Sequence, residues 1–442
     1  MPRRCAASAS ESILPPPFRP AGGKIGRFRL FWLAMLTFRA RHLATMTGPV
    51  IDDGCVIVEG DRVIAVGAAR DLKPSRIDHD IDGLLMPGLV NAHTHLELTN
   101  VPRPQKPGTF QDWLLTTMRA TRNPDPVVFR QQREAAVREG IAQCLRFGVT
   151  AVGDITSNVD IVRPILAAAP IRSISYGECL GLGPRRERFE QLLSRAVDPQ
   201  HATSRMQVGV SPHAPYTVGT AGYRAAINTG LPWTTHLAES SDEGDFVFER
   251  RGSFRTLYEA MRFDPGASDS GKGSVIAWLA GILDEQPFGV LAHVNYCTDE
   301  DLQLLVDRNA TVAYCPRTHD YFGHPPHRWR EMIRRGVNVC VGTDSCASSP
   351  DLNLVDDLRL MYRQSPDVDP QALWDTVTFN AAMVAADGSW RNGILHPSSE
   401  DRTVVGDFCA WPTRSVDPLR EILETPSMLP SALWIGGSRW SN

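Results

Sequence analysis

The sequence predicts an α/β fold of the (β/α)8, or TIM, barrel class, with a small β domain built from both ends of the chain. Three observations carry this. Short apolar, β-branched runs alternate with longer helical stretches, the pattern of βα units and a parallel sheet. Eight such runs can be counted over about 260 residues, the size of a barrel of this kind. At 442 residues the chain also exceeds the roughly 250–300 that one core holds, so an appendage or second domain is required.

Residues 1–27 mix Ser, Ala, Pro, Gly and Arg without periodicity, a composition with too little apolar surface to order itself. The apolar run Phe28 to Phe38 is interrupted by Arg29 and, at about a dozen residues, is too short to span a bilayer. No small-residue cleavage site follows it, which argues against a signal peptide. Residues 1–34 are therefore expected to be a disordered extension or a mis-assigned start, with Met35 opening the fold. The runs Leu36–Leu43, Cys55–Gly60 and Arg62–Gly67 are separated by Gly and Asp turns and read as a small antiparallel sheet. Barrel strands are expected at Leu84–His93, Val149–Asp154, Ile171–Glu178, Met206–Ser211, Trp233–Glu239, Phe288–His293, Thr311–Cys315 and Val337–Thr343. Two helical stretches follow, near Leu352–Gln364 and Pro370–Ala386, and the chain returns to β at Thr403–Trp411. Neither β-rich flank makes a good core alone, so the tail is expected to rejoin the N-terminal sheet. The expected domains are 35–86 plus 391–442 for the composite β part and 87–390 for the barrel.

Composition narrows the function classes. With 42% hydrophobic and 22% charged residues the chain has the balance of an ordinary globular protein. A formal charge of −4 and a pI near 6.3 give no footprint for nucleic acid or an anionic membrane. Nine scattered cysteines, odd in number and without a CxxC pair, argue against a disulfide framework and suit a reducing cytoplasm.

In a barrel the chemistry sits at the C-terminal ends of the strands. Strand 1 ends in His93 and His95, which at i and i+2 project from one face of a strand. That is one way to present two nitrogens to a metal ion. Strand 4 runs into Ser211-Pro-His213-Ala-Pro-Tyr216, strand 5 into Thr235-His236-Leu-Ala-Glu239, strand 6 ends in His293, and strand 8 in Gly342-Thr343-Asp344. Any one of these reads equally well as a capping Asp or a hydrogen-bonded core His. Jointly that reading fails, because independent core histidines have no reason to fall at the same end of successive strands.

With those motifs in this order and spacing, the chain from Met35 onward resembles the amidohydrolase superfamily. It is most similar to the branch holding cytosine, guanine and S-adenosylhomocysteine deaminases and the triazine hydrolases. The resemblance implies a distorted barrel carrying a small β-sandwich made from both chain ends. It also implies that His93, His95, His236 and Asp344 hold the metal, that Glu239 and His293 form the acid–base pair, and that His213 touches the substrate. Oligomeric state stays open; homodimers are common among such relatives.

Three imidazoles and one carboxylate suit one divalent ion, Zn²⁺ first and Fe²⁺ as the alternative, with a position left for water. Zinc lowers the pKa of that water to about 7, which makes a hydroxide available for attack on an aromatic C–NH₂ or amidine carbon. Ammonia leaves only once its nitrogen is protonated, and Glu239 is placed to move that proton. His293, assisted by Asp344, is expected to hold the hydroxide in line. Binuclear members of the superfamily bridge two metals with a carboxylated lysine at the end of strand 4. Here the lysines are Lys24, Lys73, Lys106 and Lys272, so none lies at that strand end and one metal is expected.

Substrate contacts are less marked. Trp113, near Phe110, can stack on a planar heterocycle or simply cover the barrel end. Arg317 and His319, in the loop after strand 7, can contact a polar substrate. The expected activity is hydrolysis of a non-peptide C–N bond, by deamination of an amino-substituted heterocycle or nucleoside-like small molecule. The competing readings are hydrolysis of a cyclic amide, N-acyl or C–Cl bond on the same site, and a catalytically inactive binding protein.

Overall fold

The computed structural model describes residues 35–105, 108–269, 273–385 and 404–441. The expected extension 1–34 and residues 391–403 of the expected tail lie outside the described residues.

Strands β1 (Met35–Leu43), β2 (Ile51–Glu59), β3 (Arg62–Ala68) and β4 (His79–Pro87) open the chain. β1 pairs antiparallel with β2 from Met35↔Glu59 to Leu43↔Ile51, and parallel with β4 from Phe38↔His79 to Leu43↔Leu85. The end of the chain completes the same sheet, because β13 (Phe408–Trp411) pairs antiparallel with β4, and β14 (Ala432–Ile435) and β15 (Ser438–Trp440) follow. The seven-stranded order is β15-β14-β13-β4-β1-β2-β3. Alternating apolar residues from both chain ends share one core, in which the Phe38 ring lies 5.3 Å from both Phe408 and Trp434.

The expected first barrel strand, Leu84–His93, is instead two strands in two sheets. β4 stops at Pro87, and β5 (Leu89–Thr94) starts one residue later among parallel strands. Pro87 has no N–H for a ladder, and a Cβ on Gly88 would stand 2.2 Å from Thr150 Oγ1. The chain therefore passes from one sheet to the other at the Pro-Gly pair, and the two histidines fall on the far side of the break.

β6 (Val149–Thr156), β7 (Arg172–Cys179) and β8 (Met206–Pro212) continue from β5 as one parallel sheet of order β5-β6-β7-β8. β9 (Thr234–Leu237), β10 (Val290–His293), β11 (Thr311–Tyr314) and β12 (Asn338–Val341) form a second parallel sheet, with β9 and β12 at its edges. Helices intervene between successive strands, as βα units require. Isolated parallel bridges join the two sheets at both seams, Val210↔Trp233 beside β8 and β9, and Thr94↔Asp344 beside β5 and β12. Small and branched side chains from both sheets, among them Val90, Ala92, Ala151, Ile174, Val290, Ala313 and Cys340, pack into one cluster. A buried ion pair ties this region to the seven-stranded sheet: Arg172 at the start of β7 meets Asp407 just before β13, Nε to Oδ2 at 2.7 Å. Among the described residues, no helix is long and apolar enough to cross a membrane.

Candidate active site

The residues singled out at the strand ends come together. His93 lies on β5, His95 directly after it, and their rings are 5.1 Å apart and nearly perpendicular. His236 on β9 brings its ring to 4.9 Å from His93 and its Nε2 to 3.2 Å from His95 Nε2. His293 ends β10, with its ring 5.4 Å from His93 and 5.4 Å from His236. Asp344 follows β12, its Oδ1 3.6 Å from His95 Nε2 and 3.9 Å from His93 Nε2. Its backbone N–H donates to the His93 carbonyl at 3.0 Å. That close approach needs Gly342, where a Cβ would stand 2.6 Å from the His93 oxygen.

Ligating atoms within 4.8 Å of one another group in three overlapping sets: His93, His236 and His293; His93, His95 and Asp344; and Glu239, His293 and Asp344. Two observations test whether this cluster suits a cation. Both ring nitrogens of His93 are buried without a hydrogen-bond partner among the described residues, a costly condition unless something else uses the lone pair. His236 Nδ1 faces the His213 carbonyl at 2.9 Å and must carry the proton there, so its Nε2 lone pair points toward His95. Burial, reinforced for His93, His95 and His293 by the neighbouring imidazoles, pushes these three well below the ordinary histidine value. Burial also brings His236 down to about 4. The rings are therefore held neutral, the form that binds metal. The donor set fits a divalent ion such as zinc.

Glu239 sits just past β9 with its Oε1 3.3 Å from His293 Nε2. Burial, then the nearby Asp344 and Glu243 carboxylates, push its carboxyl well above the usual range. Its backbone N–H donates to Glu243 Oε2 at 3.0 Å. The turn carrying it is left-handed at Ala238 (φ 50°), and the turn carrying His293 is left-handed at His293 and Val294 (φ 71° and 52°). A β-branched residue in that region is strained, and such strain is held only where the surroundings dictate it. Asp344 is pushed up to about 6 by burial, against the Ser348 hydroxyl, which donates to its Oδ2 at 3.0 Å.

The other expected contacts divide. His213 follows β8, its ring 4.9 Å from His236 and its Nε2 3.7 Å from Glu178 Oε1, and it lines a cavity of about 670 Å³. Trp113, Arg317 and His319 do not line that cavity. Arg317, far from being free, is clamped by Asp357 (Nε to Oδ2, 3.0 Å) and Asp351 (Nη1 to Oδ1, 2.7 Å). Trp113 Nε1 donates to the Ala347 carbonyl at 2.8 Å, and His319 Nε2 to the Pro325 carbonyl at 2.9 Å. All three brace loops beside the site. Conversely, Glu97 and Glu178 line the cavity and were not singled out in the sequence. Glu97 lies two residues beyond His95 in the 3₁₀ turn Leu96–Leu98, where strand alternation no longer applies.

Histidines and a carboxylate gathered at the C-terminal ends of parallel strands, in a buried pocket, define a metal-dependent hydrolase type of site. The chain belongs to the amidohydrolase family, whose description matches residues 84–386. It is 26% identical over 352 residues to a 5'-deoxyadenosine deaminase of Methanothrix thermoacetophila, covering 76% of this chain and 77% of the relative. It is 26% identical over 357 residues to an aminodeoxyfutalosine deaminase of Deinococcus radiodurans, covering 75% of this chain and 81% of the relative. A solved adenosine deaminase from Xanthomonas campestris with bound zinc shares the fold, with a TM-score of 0.73 and 18% identity over 91% of this chain and 92% of that one. The deaminase-type aminohydrolase expected from the sequence agrees with these relatives.

Proposed function

We propose that this chain is a hydrolytic deaminase of a nucleoside-like amine, with His93, His95, His236 and Asp344 holding one zinc ion. The observation that carries the proposal is the convergence of those four side chains, from β5, β9 and the end of β12, on the Glu239–His293 pair. When bound, the metal polarises water and lowers its pKa toward about 7. Fe²⁺ is the alternative this donor set admits.

Glu239 takes the proton of the attacking water on its carboxylate and returns it to the leaving nitrogen, so that the amine departs as ammonia. Its burial suits it to hold the proton between the two transfers. His293 Nε2, neutral and 3.3 Å from Glu239 Oε1, orients the water. His213, which lines the cavity with its ring 4.9 Å from that of His236, contacts the heterocycle. The names of the relatives support an adenosine-like substrate.

The two bridged seams and the shared cluster support reading the two parallel sheets as one distorted eight-stranded barrel, domain 87–390. The single core of the composite sheet, with Phe38 against Trp434 across two intervening strands, supports a sandwich-like curl for 35–86 with 391–442. Eight unpaired cysteines among the described residues support a reducing, cytoplasmic setting.

The test is ammonia release from adenine nucleosides, aminopurines, pterins and pyrimidines, with zinc and iron assayed on the same sample. Turnover of a nucleoside with one metal per chain is expected. A metal-loaded protein that releases ammonia from none of them would sink the proposal.

A further inference from the structure

Glu239 sits on a turn that its own residues do not favour. Ala238 before it is left-handed (φ 50°), a conformation that residues with a Cβ keep only where their surroundings impose it. Two side chains from different elements grip the turn at the peptide groups of Glu239. Glu243, the first residue of helix Glu243–Glu249, reaches back so that its Oε2 accepts from the Glu239 N–H at 3.0 Å. The N–H groups of Ala238 and Ser240 are also turned toward its carboxyl. From the other side Asn295, two residues past His293, donates from Nδ2 to the Glu239 carbonyl at 3.1 Å. The backbone beside Asn295 adds two bonds, Val294 N–H to the Leu237 carbonyl at 3.0 Å and Tyr296 N–H to the Ala238 carbonyl at 3.2 Å.

Both side chains are buried, Glu243 being 1% exposed and Asn295 8%. Each gives one atom to the Glu239 backbone and leaves the other, Glu243 Oε1 and Asn295 Oδ1, buried with no hydrogen-bond partner among the described residues. Such orphaned atoms cost free energy, and apolar side chains of similar shape would fill the space without them. A buried glutamate is also not the habit of helix starts on this chain. Glu187 and Glu300, likewise in the first turn of their helices, are exposed. Neither Glu243 nor Asn295 lines the cavity, and neither belongs to the clusters that can hold a metal.

Resting on the deaminase reading, we infer that Glu243 and Asn295 are positioning residues for the hydrolysis: by holding the N–H and the carbonyl of Glu239 from two sides, they fix where its carboxyl meets the attacking water and the leaving nitrogen. They touch neither substrate nor metal. Proton transfer needs donor and acceptor within about 2.6–3.2 Å, and a displacement of about 1 Å costs on the order of 10²-fold in rate. What this geometry asks of Glu243 is an acceptor atom, not a charge.

The test uses the zinc-loaded full chain with a nucleoside that it deaminates. Glu243→Leu keeps the bulk, removes the acceptor, and is expected to lower kcat about 10²-fold. KM and zinc content should stay as they were. Glu243→Gln keeps an acceptor without the charge and should remain within about tenfold of the unaltered chain, since a neutral acceptor binds roughly half as strongly as a charged one. Asn295→Ala removes one neutral hydrogen bond and should lower kcat about fivefold, which keeps the test open should Glu243→Leu not fold. Action through Glu239 has its own signature. Added to Glu239→Gln and read in single turnover with enzyme in excess, Glu243→Leu should cost little more. Unchanged kcat in Glu243→Leu or Asn295→Ala, a Glu243→Gln enzyme as slow as Glu243→Leu, or losses that multiply in the double variant each overturn the inference and leave the deaminase reading standing. If the unaltered chain releases no ammonia, that reading falls and amide hydrogen exchange decides separately. Faster exchange of the Ala238, Glu239 and Ser240 N–H groups in Glu243→Leu than in the unaltered chain upholds the grip on this turn, and equal exchange removes it.

Discussion

The candidate metal centre and the seven-stranded sheet beside it bury polar groups in opposite ways. In the sheet region the buried charge is matched: Asp407 accepts from Arg172 and, at 2.7 Å, from the Gly436 N–H. At the centre His93 is as fully buried as Asp407, yet neither ring nitrogen has a partner among the described residues. The backbone there is left-handed at Ala238, His293, Val294 and Asp344. Unmatched polar atoms and strained turns persist only where surrounding structure over-determines them. The contrast teaches that one region is organised to hold the fold together, and the other to present lone pairs to a ligand.

Four experiments can break or sharpen that contrast. The largest effects are expected within the centre. His236→Ala should lose both bound metal and turnover, whereas Glu239→Gln should keep the metal, checked by elemental analysis, and lose about 10²–10⁴-fold in kcat. An active Glu239→Gln enzyme would remove the acid–base assignment. On the other side, Asp407→Asn leaves Arg172 buried without its charge partner and should cost about 3–5 kcal/mol in urea unfolding. Its kcat per folded molecule should hardly move. A variant that unfolds normally but loses turnover would show that the two regions are not separable.

A smaller effect is expected where the two kinds of burial meet. Ser348 donates to Asp344 Oδ2 and is itself 2.8 Å from Thr318 Oγ1, so it fixes the carboxylate that faces His93 and His95. Ser348→Ala should weaken metal affinity by roughly 10–100-fold, the usual scale for a group that orients a ligand, with little loss of stability. Competition with a chelator reads this directly.

The last is a pH effect on the metal-free protein. Burial raises Glu243 to about 8 from an ordinary 4.5, so the fold favours its protonated form. That contribution is fully present below pH 4.5 and is lost as the pH rises toward 8. The urea midpoint should therefore fall across that window, and Glu243→Gln should flatten the fall. An unchanged slope would mean that Glu243 is solvated when the loop carrying Glu239 opens.

Much of the centre was legible because its signals are local. His93 and His95 share a face by strand alternation, and Glu239 stands three residues beyond His236. What the expected substrate contacts bind within the fold was not legible, because their partners lie far away in sequence. Arg317 reads as a free cation in its loop, but its partners Asp351 and Asp357 are 34 and 40 residues on. Trp113 finds its acceptor 234 residues away. The break at Pro87-Gly88 was visible as a dipeptide, but an apolar run on both sides masked it.

By itself the sequence determined which side chains stand at the ends of which strands, and with them the donor types available to a metal. Backbone periodicity acts over a few residues and needs no knowledge of the partner. Only the tertiary structure decided which nitrogens are left without partners and which guanidinium groups are clamped or open. Those outcomes depend on hydrogen bonds and charge pairs between segments tens to hundreds of residues apart, which packing brings together.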